Sequence, residues 1–287
     1  MFDRTYAKEV YHRQRRCGFG GCETYALPPL AGAFAITDLK TTALRAFVTR
    51  LRSRSVLTSE EESALLALNG QTEEFSAHTD FVRRGVPINR SCLVVDGLVG
   101  RFGQRKDGAR QITCLYIPGD MADLPSVVSQ NSAWGLSALA DTTILHLAHV
   151  DLRGLAARHP GIAEAFWRDC VADGSIFSEW VVNVGRRRSV SRVAHLFCEM
   201  AIRCERADRG DRGSFRLPIT QNYLGEATGM TTIHLNRTLR ELRERSVVIL
   251  NSGTVTVLDW EQLVKIGDFD PGFMMLEGQS PRIATAA

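Results

Sequence analysis

The 287-residue sequence has no apolar run near the ~20 residues that a membrane span requires. No apolar segment follows the basic residues near its start, so no secretory leader is visible. Cysteine is sparse and irregular: seven residues, an odd number without a repeating spacing, fit a reducing compartment better than a disulfide framework. The expected location is the cytoplasm, with no membrane partner. Signs of catalysis are also missing. No nucleophile–base pair and no metal constellation stands at usable spacing. The glycine-rich Cys17-Gly-Phe-Gly-Gly-Cys22 lacks the strand and helix around a phosphate loop. Those two thiols fall short of the four that an iron–sulfur cluster usually takes. A protein that is not an enzyme is expected.

Lysine is absent from residues 186–250, which hold 13 arginines against 7 acidic residues. Residues 1–54 are also basic, 10 against 4, whereas residues 55–185 carry 10 basic and 16 acidic side chains. A basic block beside an acidic one suits a nucleic-acid module attached to a sensor. The length points to two domains, since a single core rarely grows beyond ~250 residues.

Residues 1–43 show no sustained periodicity and read as a loosely ordered extension. Helices are predicted from Thr41 to Arg52 and from Thr58 to Leu68, the second opened by the capping signal Thr58-Ser-Glu-Glu-Glu. From Glu74 to about Val150, short β-rich pieces alternate with glycine turns, and Asp96-Gly97 and Asp107-Gly108 are hairpin signals. Such spacing predicts a sandwich, barrel or jelly-roll there, within a domain assigned to residues 44–158. His146 and His149 would point to opposite faces of a strand, so they do not read as a metal pair.

Pro160 opens a predicted helix of about 27 residues, and residues 159–187 are assigned to it. Trp167, Cys170, Gly174, Phe177, Val181 and Val184 recur at spacings of three and four, a heptad seam able to join two subunits. The competing reading is an intrachain core stripe. Its length favours a helix that crosses between subunits.

The most specific stretch is Arg216–Asp259, within a predicted domain over 188–265; residues 266–287 read as a tail. Thr220 can cap a short helix to about Thr228, Gly229 permits a tight turn, and Thr231 or Thr232 caps a second helix to about Arg245. Leu235, Leu239 and Leu242 must then face inward, leaving Thr232, Ile233, Asn236, Arg237 and Arg240 outward. Arginine can bridge guanine N7 and O6, asparagine can pair with adenine, and isoleucine can touch a thymine methyl. The apolar strands around Asn251-Ser-Gly253 make a wing. Helix, turn, helix and hairpin in this order form a winged helix-turn-helix that reads DNA. Gln221, His234, Arg216 and the Arg243–Arg245 end are candidates for backbone contacts.

The β-rich domain, the long helix and LPITQNYLGEATGMTTIHLNRTLRELRE with its hairpin together resemble the Crp/Fnr superfamily of bacterial transcription regulators. The resemblance spans roughly residues 44–265, and GDMADL is similar to the family's Gly-Asp-x-x-Gly-Glu-Leu segment. It implies an α+β protein with an N-terminal β-roll sensor, a long dimerisation helix and a C-terminal winged helix-turn-helix. It further implies a homodimer on palindromic double-stranded DNA, with RNA polymerase as a partner. The family's base-reading positions fall on Thr232, Ile233, Asn236 and Arg237, of which only the arginine is kept, so an altered half-site is expected. The effector region falls on Asp123, Asn131, Ser132, Phe177 and Ser178. There Asn131-Ser132-Ala133 stands for the Arg-Ser-Ala of cyclic-AMP binders, and Phe177-Ser178 for their Thr-Ser. An unpaired buried phosphate costs several kcal/mol by order of magnitude, so cyclic nucleotide is disfavoured. An iron–sulfur cluster is disfavoured too, since Leu145 takes the place of the distant cysteine. No cofactor is expected. A reading from another class, a sensor or scaffold whose helix-turn-helix contacts protein, is opposed by the arginine block.

Overall fold

The computed structural model describes residues 30–129 and 131–276, with the backbone alone for residues 30–38. Cys17 and Cys22, and the predicted extension up to residue 29, lie outside the described residues. The helix expected from Thr41 starts earlier, so α1 spans Leu30–Arg52 and takes in the end of the predicted extension. Helix α2, Ser59–Leu66, begins as its sequence signal implies. Thr58 accepts from the Glu61 amide while the Glu61 carboxylate accepts from the Thr58 amide at 2.8 Å.

Seven strands follow: β1 Gly70–Phe75, β2 Thr79–Val82, β3 Arg90–Asp96, β4 Val99–Gln104, β5 Arg110–Tyr116, β6 Gly135–Ala138 and β7 Thr142–Ala148. They form two antiparallel sheets, ordered β1-β7-β3 and β2-β6-β4-β5, facing each other across a core that includes Val94, Leu98, Val99, Leu115 and Ile144. Asp107-Gly108 closes the β4–β5 hairpin as expected, with Gly108 at φ 89°. Asp96-Gly97 does not make a hairpin. It carries the chain from one sheet to the other, since β3 pairs with β7 and β4 with β5 and β6. Gly97 sits at φ 92° against the Asp141 carbonyl, where any Cβ would collide.

The roll ends in a helix absent from the sequence reading, α3, His149–Arg158. No side chain caps its start, so the apolar run flows from strand to helix without a written signal. Helix α4, Pro160–Arg186, has the predicted 27 residues. One face is buried through Ile162, Ala165, Phe166, Ala172, Ile176 and Trp180, and Asp169 and Asp173 are buried with it.

Those carboxylates belong to a network that joins four parts of the chain. From α1, Arg50 donates to Asp169 at 2.8 Å and to Asp120 at 2.6 Å, and from the turn that follows Arg54 donates to Asp169 at 2.9 Å. From α5, Ser189–Arg206, Arg203 donates to Asp120 and to the Leu115 carbonyl, both at 2.7 Å, and to Glu199 at 2.8 Å. Trp180 of α4 donates to the other Glu199 oxygen at 2.8 Å.

The C-terminal domain continues with β8 Ser214–Arg216, α6 Gln221–Thr228, α7 Thr232–Glu244, β9 Val248–Asn251, β10 Thr254–Val257 and α8 Trp260–Gly267. Strand β8, which no periodicity in the sequence predicts, pairs with β10 and makes the wing a three-stranded sheet, β8-β10-β9. Beyond residue 265, in the predicted tail, Met274 is buried and its carbonyl accepts from Arg54 at 3.1 Å.

Candidate nucleic-acid interface

The helix-turn-helix is assembled by local signals. Thr220 accepts from the Tyr223 amide and Thr231 from the His234 amide, each at 3.3 Å, so both helices start at threonine caps. Gly229 ends α6 in the left-handed region at φ 66°. Leu235 and Leu242 are fully buried and Leu239 half-buried, which fixes the rotation of α7. Thr238 shares that inner face, its hydroxyl donating back to the His234 carbonyl at 3.0 Å. A polar residue in the core row gave no sign of this in the sequence.

The opposite face is open. Thr232, Ile233, His234, Asn236, Arg237 and Arg240 are all exposed, and Ile233 is 78% accessible. Thr220, Gln221 and Thr231 are exposed at the starts of the two helices, where free amides and the helix dipole favour an anion. Among the described residues no ion pair engages Arg237, whereas Arg240 meets Glu244 at 3.8 Å. The wing turns at Ser252 and Gly253, both at positive φ, beside the exposed Arg216 paired to it through β8. Gln221 of α6 shares one surface groove with Ile233, Asn236, Arg237 and Arg240 of α7 and with Ile249 and Leu250 of β9, whereas Arg216 and Thr220 line a separate cleft against the roll.

Helix α6 also rests on the roll. Gln111 of β5 donates to the Glu226 carbonyl at 2.6 Å, and His78 meets the Tyr223 hydroxyl at 2.9 Å.

The seam residues divide. Trp167, Gly174, Phe177 and Val181 are exposed, Trp167 at 68% and Val181 at 58%, and Val171 and Val182 extend the stripe. Cys170 and Val184 are half-buried, and Val184 lies against Gly229 of the turn. The intrachain stripe is a different set, led by Ile162, Phe166, Ile176 and Trp180. Helix α4 therefore carries two apolar faces, one used within the chain and one uncovered.

The five effector-region residues do not converge. Asp123 is buried and accepts from the Cys92 amide at 2.7 Å; Ser132 is buried and donates to the Trp134 carbonyl at 2.7 Å. Asn131 and Ser178 are exposed, the latter donating to the Gly174 carbonyl at 3.0 Å. Among the described residues no guanidinium hydrogen-bonds to Asn131 or Ser132. Phe177 alone lines a cavity of about 360 Å³ between the roll and α4, shared with Arg101, Phe102 and Trp134. The last three were missed because they reach the site from a strand and a loop with no shared motif. His146 pairs with Glu73 at 2.9 Å and His149 with Ser126 at 2.9 Å, and no group of three or more metal-ligating side chains occurs among the described residues.

Burial pushes the Asp123 carboxyl up to about 6, beyond what its hydrogen bond from Cys92 offsets. A folded-state value above the unfolded ~3.9 means that the Asp123 contribution to stability is largest in acid and falls as pH rises from there to about 6. An asparagine at this position would keep the acceptor without the charge. The advantage of Asp123→Asn over wild type should therefore grow by about 2–3 kcal/mol between about pH 4 and pH 7.5. Urea unfolding at both pH values checks this, and a constant difference would remove Asp123 from the account.

A two-sheet β-roll joined through a long helix to a winged helix-turn-helix defines a sensor-coupled, DNA-binding regulator. The comparisons agree. A Crp-like helix-turn-helix domain matches residues 191–266, and a cyclic nucleotide-binding domain matches residues 72–159. The nitrogen fixation regulation protein FixK of Rhizobium meliloti is 24% identical over 183 residues, 61% of this chain and 78% of that protein. The transcriptional activator FnrL of Cereibacter sphaeroides is 22% identical over 229 residues, 77% of this chain and 92% of its own. The fold is that of FixK2 from Bradyrhizobium japonicum, with a TM-score of 0.63 at 20% identity, covering 69% of this chain and 98% of that one. The chain belongs to the Crp/Fnr-type transcription regulators. Among the described residues no helix is long and apolar enough to cross a membrane.

Proposed function

We propose that the protein acts in the cytoplasm as a homodimer without enzymatic activity. Each subunit lays α7 in the major groove of one half of a palindrome, the halves one helical turn apart. The observation that carries this is the outward face of α7, where Ile233, Asn236 and Arg237 stand clear of the protein. Thr232 and Ile233 meet bases at the start of the helix, and Asn236, Arg237 and Arg240 continue along it. Thr220, Gln221, Thr231 and His234 hold backbone phosphates. The exposed stripe on α4 supports the dimer, since an apolar row of this length costs solubility unless a second copy covers it. Bound DNA then presents the protein to RNA polymerase. Domain limits of 44–158, 159–187 and 188–265 serve these three tasks.

Selecting bound sequences from a random DNA pool tests class, symmetry and half-site together. A two-fold-symmetric consensus is expected, with the logarithm of affinity falling linearly against log salt. Recovery of no consensus, or binding indifferent to salt, would return the helix-turn-helix to the protein-contact reading. Within the consensus, Arg237→Ala should cost about 1–3 kcal/mol and relax preference at one base pair per half-site. Unchanged selection by that variant would take Arg237 out of the reading set.

A further inference from the structure

Residues 268–276 follow α8, the last helix of the reading head, and turn back across α5 to the turn after α1. The crossing is anchored at three points. At its start, Arg187, one of the two residues between α4 and α5, donates to the Asp268 carbonyl at 3.2 Å. Next, Phe269 and Phe273 pack on the buried His195 ring of α5, with ring centres 5.1 and 5.5 Å away. At its end, Met274 is fully buried in the core that holds Ile176 and Trp180 of α4. The Met274 carbonyl accepts from Arg54 Nη2 at 3.1 Å and from Nε at 3.4 Å, while Arg54 Nη1 donates to Asp169 of α4. One guanidinium thus joins the turn after α1, the long helix and the crossing segment. Burial and the neighbouring Arg50 pull Arg54 down to about 10, so each acceptor it has matters. The segment is held at these points and not along its length. Pro271, Gly272 and Met275 are exposed, and a cavity of about 150 Å³ remains where Met274 faces Thr49, Ser53 and Pro118. Asp268 and Met275 bracket the segment at φ 47° and 52°, in the left-handed region that L side chains rarely adopt. Such conformations persist only where surrounding contacts hold them.

We propose that residues 268–276 are a strap that fixes the angle between the reading head and α4. The chain itself links the two only through Arg187 and Arg188, and a link of two residues can act as a hinge. Arg203 and Gln111 tie the head to the roll; the strap adds an attachment from α8 to α4 and the turn after α1. In a dimer joined along α4, that attachment presets the spacing and orientation of the two α7 helices. The ordering is then complete on folding and is not left to the operator. The proposal rests on reading the head as one half of a DNA-binding dimer.

The test uses the full chain carrying Phe273→Ser and Met274→Ser together, which removes two apolar anchors without altering charge. Trypsin should cut at Arg186–Arg188 about tenfold faster or more, since cleavage follows the population of the opened junction. Mass spectrometry locates the cut. Affinity for a whole palindromic site should fall about tenfold or more, because a freely turning head lowers the effective concentration for the second contact. Half-site affinity should stay as in wild type. Arg54→Lys keeps a cation for Asp169 but loses the fork that also serves Met274, so it should move both readouts the same way and less far. Should the double variant fail to fold, Arg54→Lys decides. Unchanged cutting, an equal loss on whole and half sites, or a gain on the whole site overturns the proposal. Trypsin needs no operator, so it separates the two ideas. Faster cutting with no palindrome selected refutes the regulator reading alone, and a palindrome with unchanged cutting refutes the strap alone.

Discussion

A Val181→Glu protein should run as a monomer and lose operator affinity by a factor of about 10²–10⁴. The loss comes from linkage, because two half-sites held by one dimer make the second contact intramolecular. Val181 is 58% exposed, so the substitution removes little intrachain packing, and the roll and reading head should keep their fold. Two glutamates facing each other in a desolvated seam would cost far more than the valine pair gained. Trp167→Glu, at 68% exposure, should act alike about four turns away along the same helix. Sedimentation gives the oligomeric state, and DNA titration with whole and half sites gives the linkage. A variant that stays dimeric, or wild type that is monomeric yet binds the whole site tightly, would place the dimer contact elsewhere.

Replacing Arg203 by methionine should lower unfolding stability by about 3–5 kcal/mol, the usual cost of leaving buried carboxylates without their partner. Arg203 is 8% exposed and meets Asp120 of the roll and Glu199 of its own helix, so the substitution removes a cationic partner on both sides of the domain junction, leaving Asp120 to Arg50 alone and Glu199 to the Trp180 N–H. Burial alone would raise the Asp120 carboxyl, but Arg50 and Arg203 hold it below the ordinary carboxylate range. A depressed value contributes stability above the unfolded ~3.9 and loses it as pH falls through the folded value. In Arg203→Met that acid loss should begin at higher pH. Adding Asp120→Asn should recover part of the deficit, a coupling of about 1 kcal/mol or more in the double-mutant cycle. Urea unfolding followed by tryptophan fluorescence and by far-ultraviolet dichroism should also split into two steps once the roll and the reading head are uncoupled. A loss under about 1 kcal/mol, with one transition, would show that packing and not this network joins them.

The reading head was legible because its signals are local. Threonine caps at 220 and 231, a glycine at 229, and Leu235 and Leu242 on one helical face fix each other within a few residues. The same holds for the capping box at Thr58 and for the 27-residue length of α4. The roll was legible in kind but not in topology. Asp96-Gly97 has the composition of a hairpin turn, yet strand pairing is settled by β7, some 50 residues later, which claims the edge of β3. Strand β8 was hidden for a related reason. Three residues carry no period, and they become a strand only because β10 returns beside them.

By itself, then, the sequence determined the local units: the two capped helices and turn of the reading head, the uncharged seam along one long helix, and glycine-punctuated strands. Each depends on backbone preferences and side-chain spacing over fewer than about eight residues. Tertiary structure alone decided what the units do to one another. It buried Ile162, Phe166, Ile176 and Trp180 and left Trp167, Phe177 and Val181 to solvent, choosing between two apolar faces on one helix. It brought Arg50 and Arg203 to Asp120 across 70 and 83 positions of chain, and it set Arg101 between Trp134 and Phe177. Charges and rings so far apart have no spacing to read. Their meeting follows from the closure of two sheets and a helix around a common core.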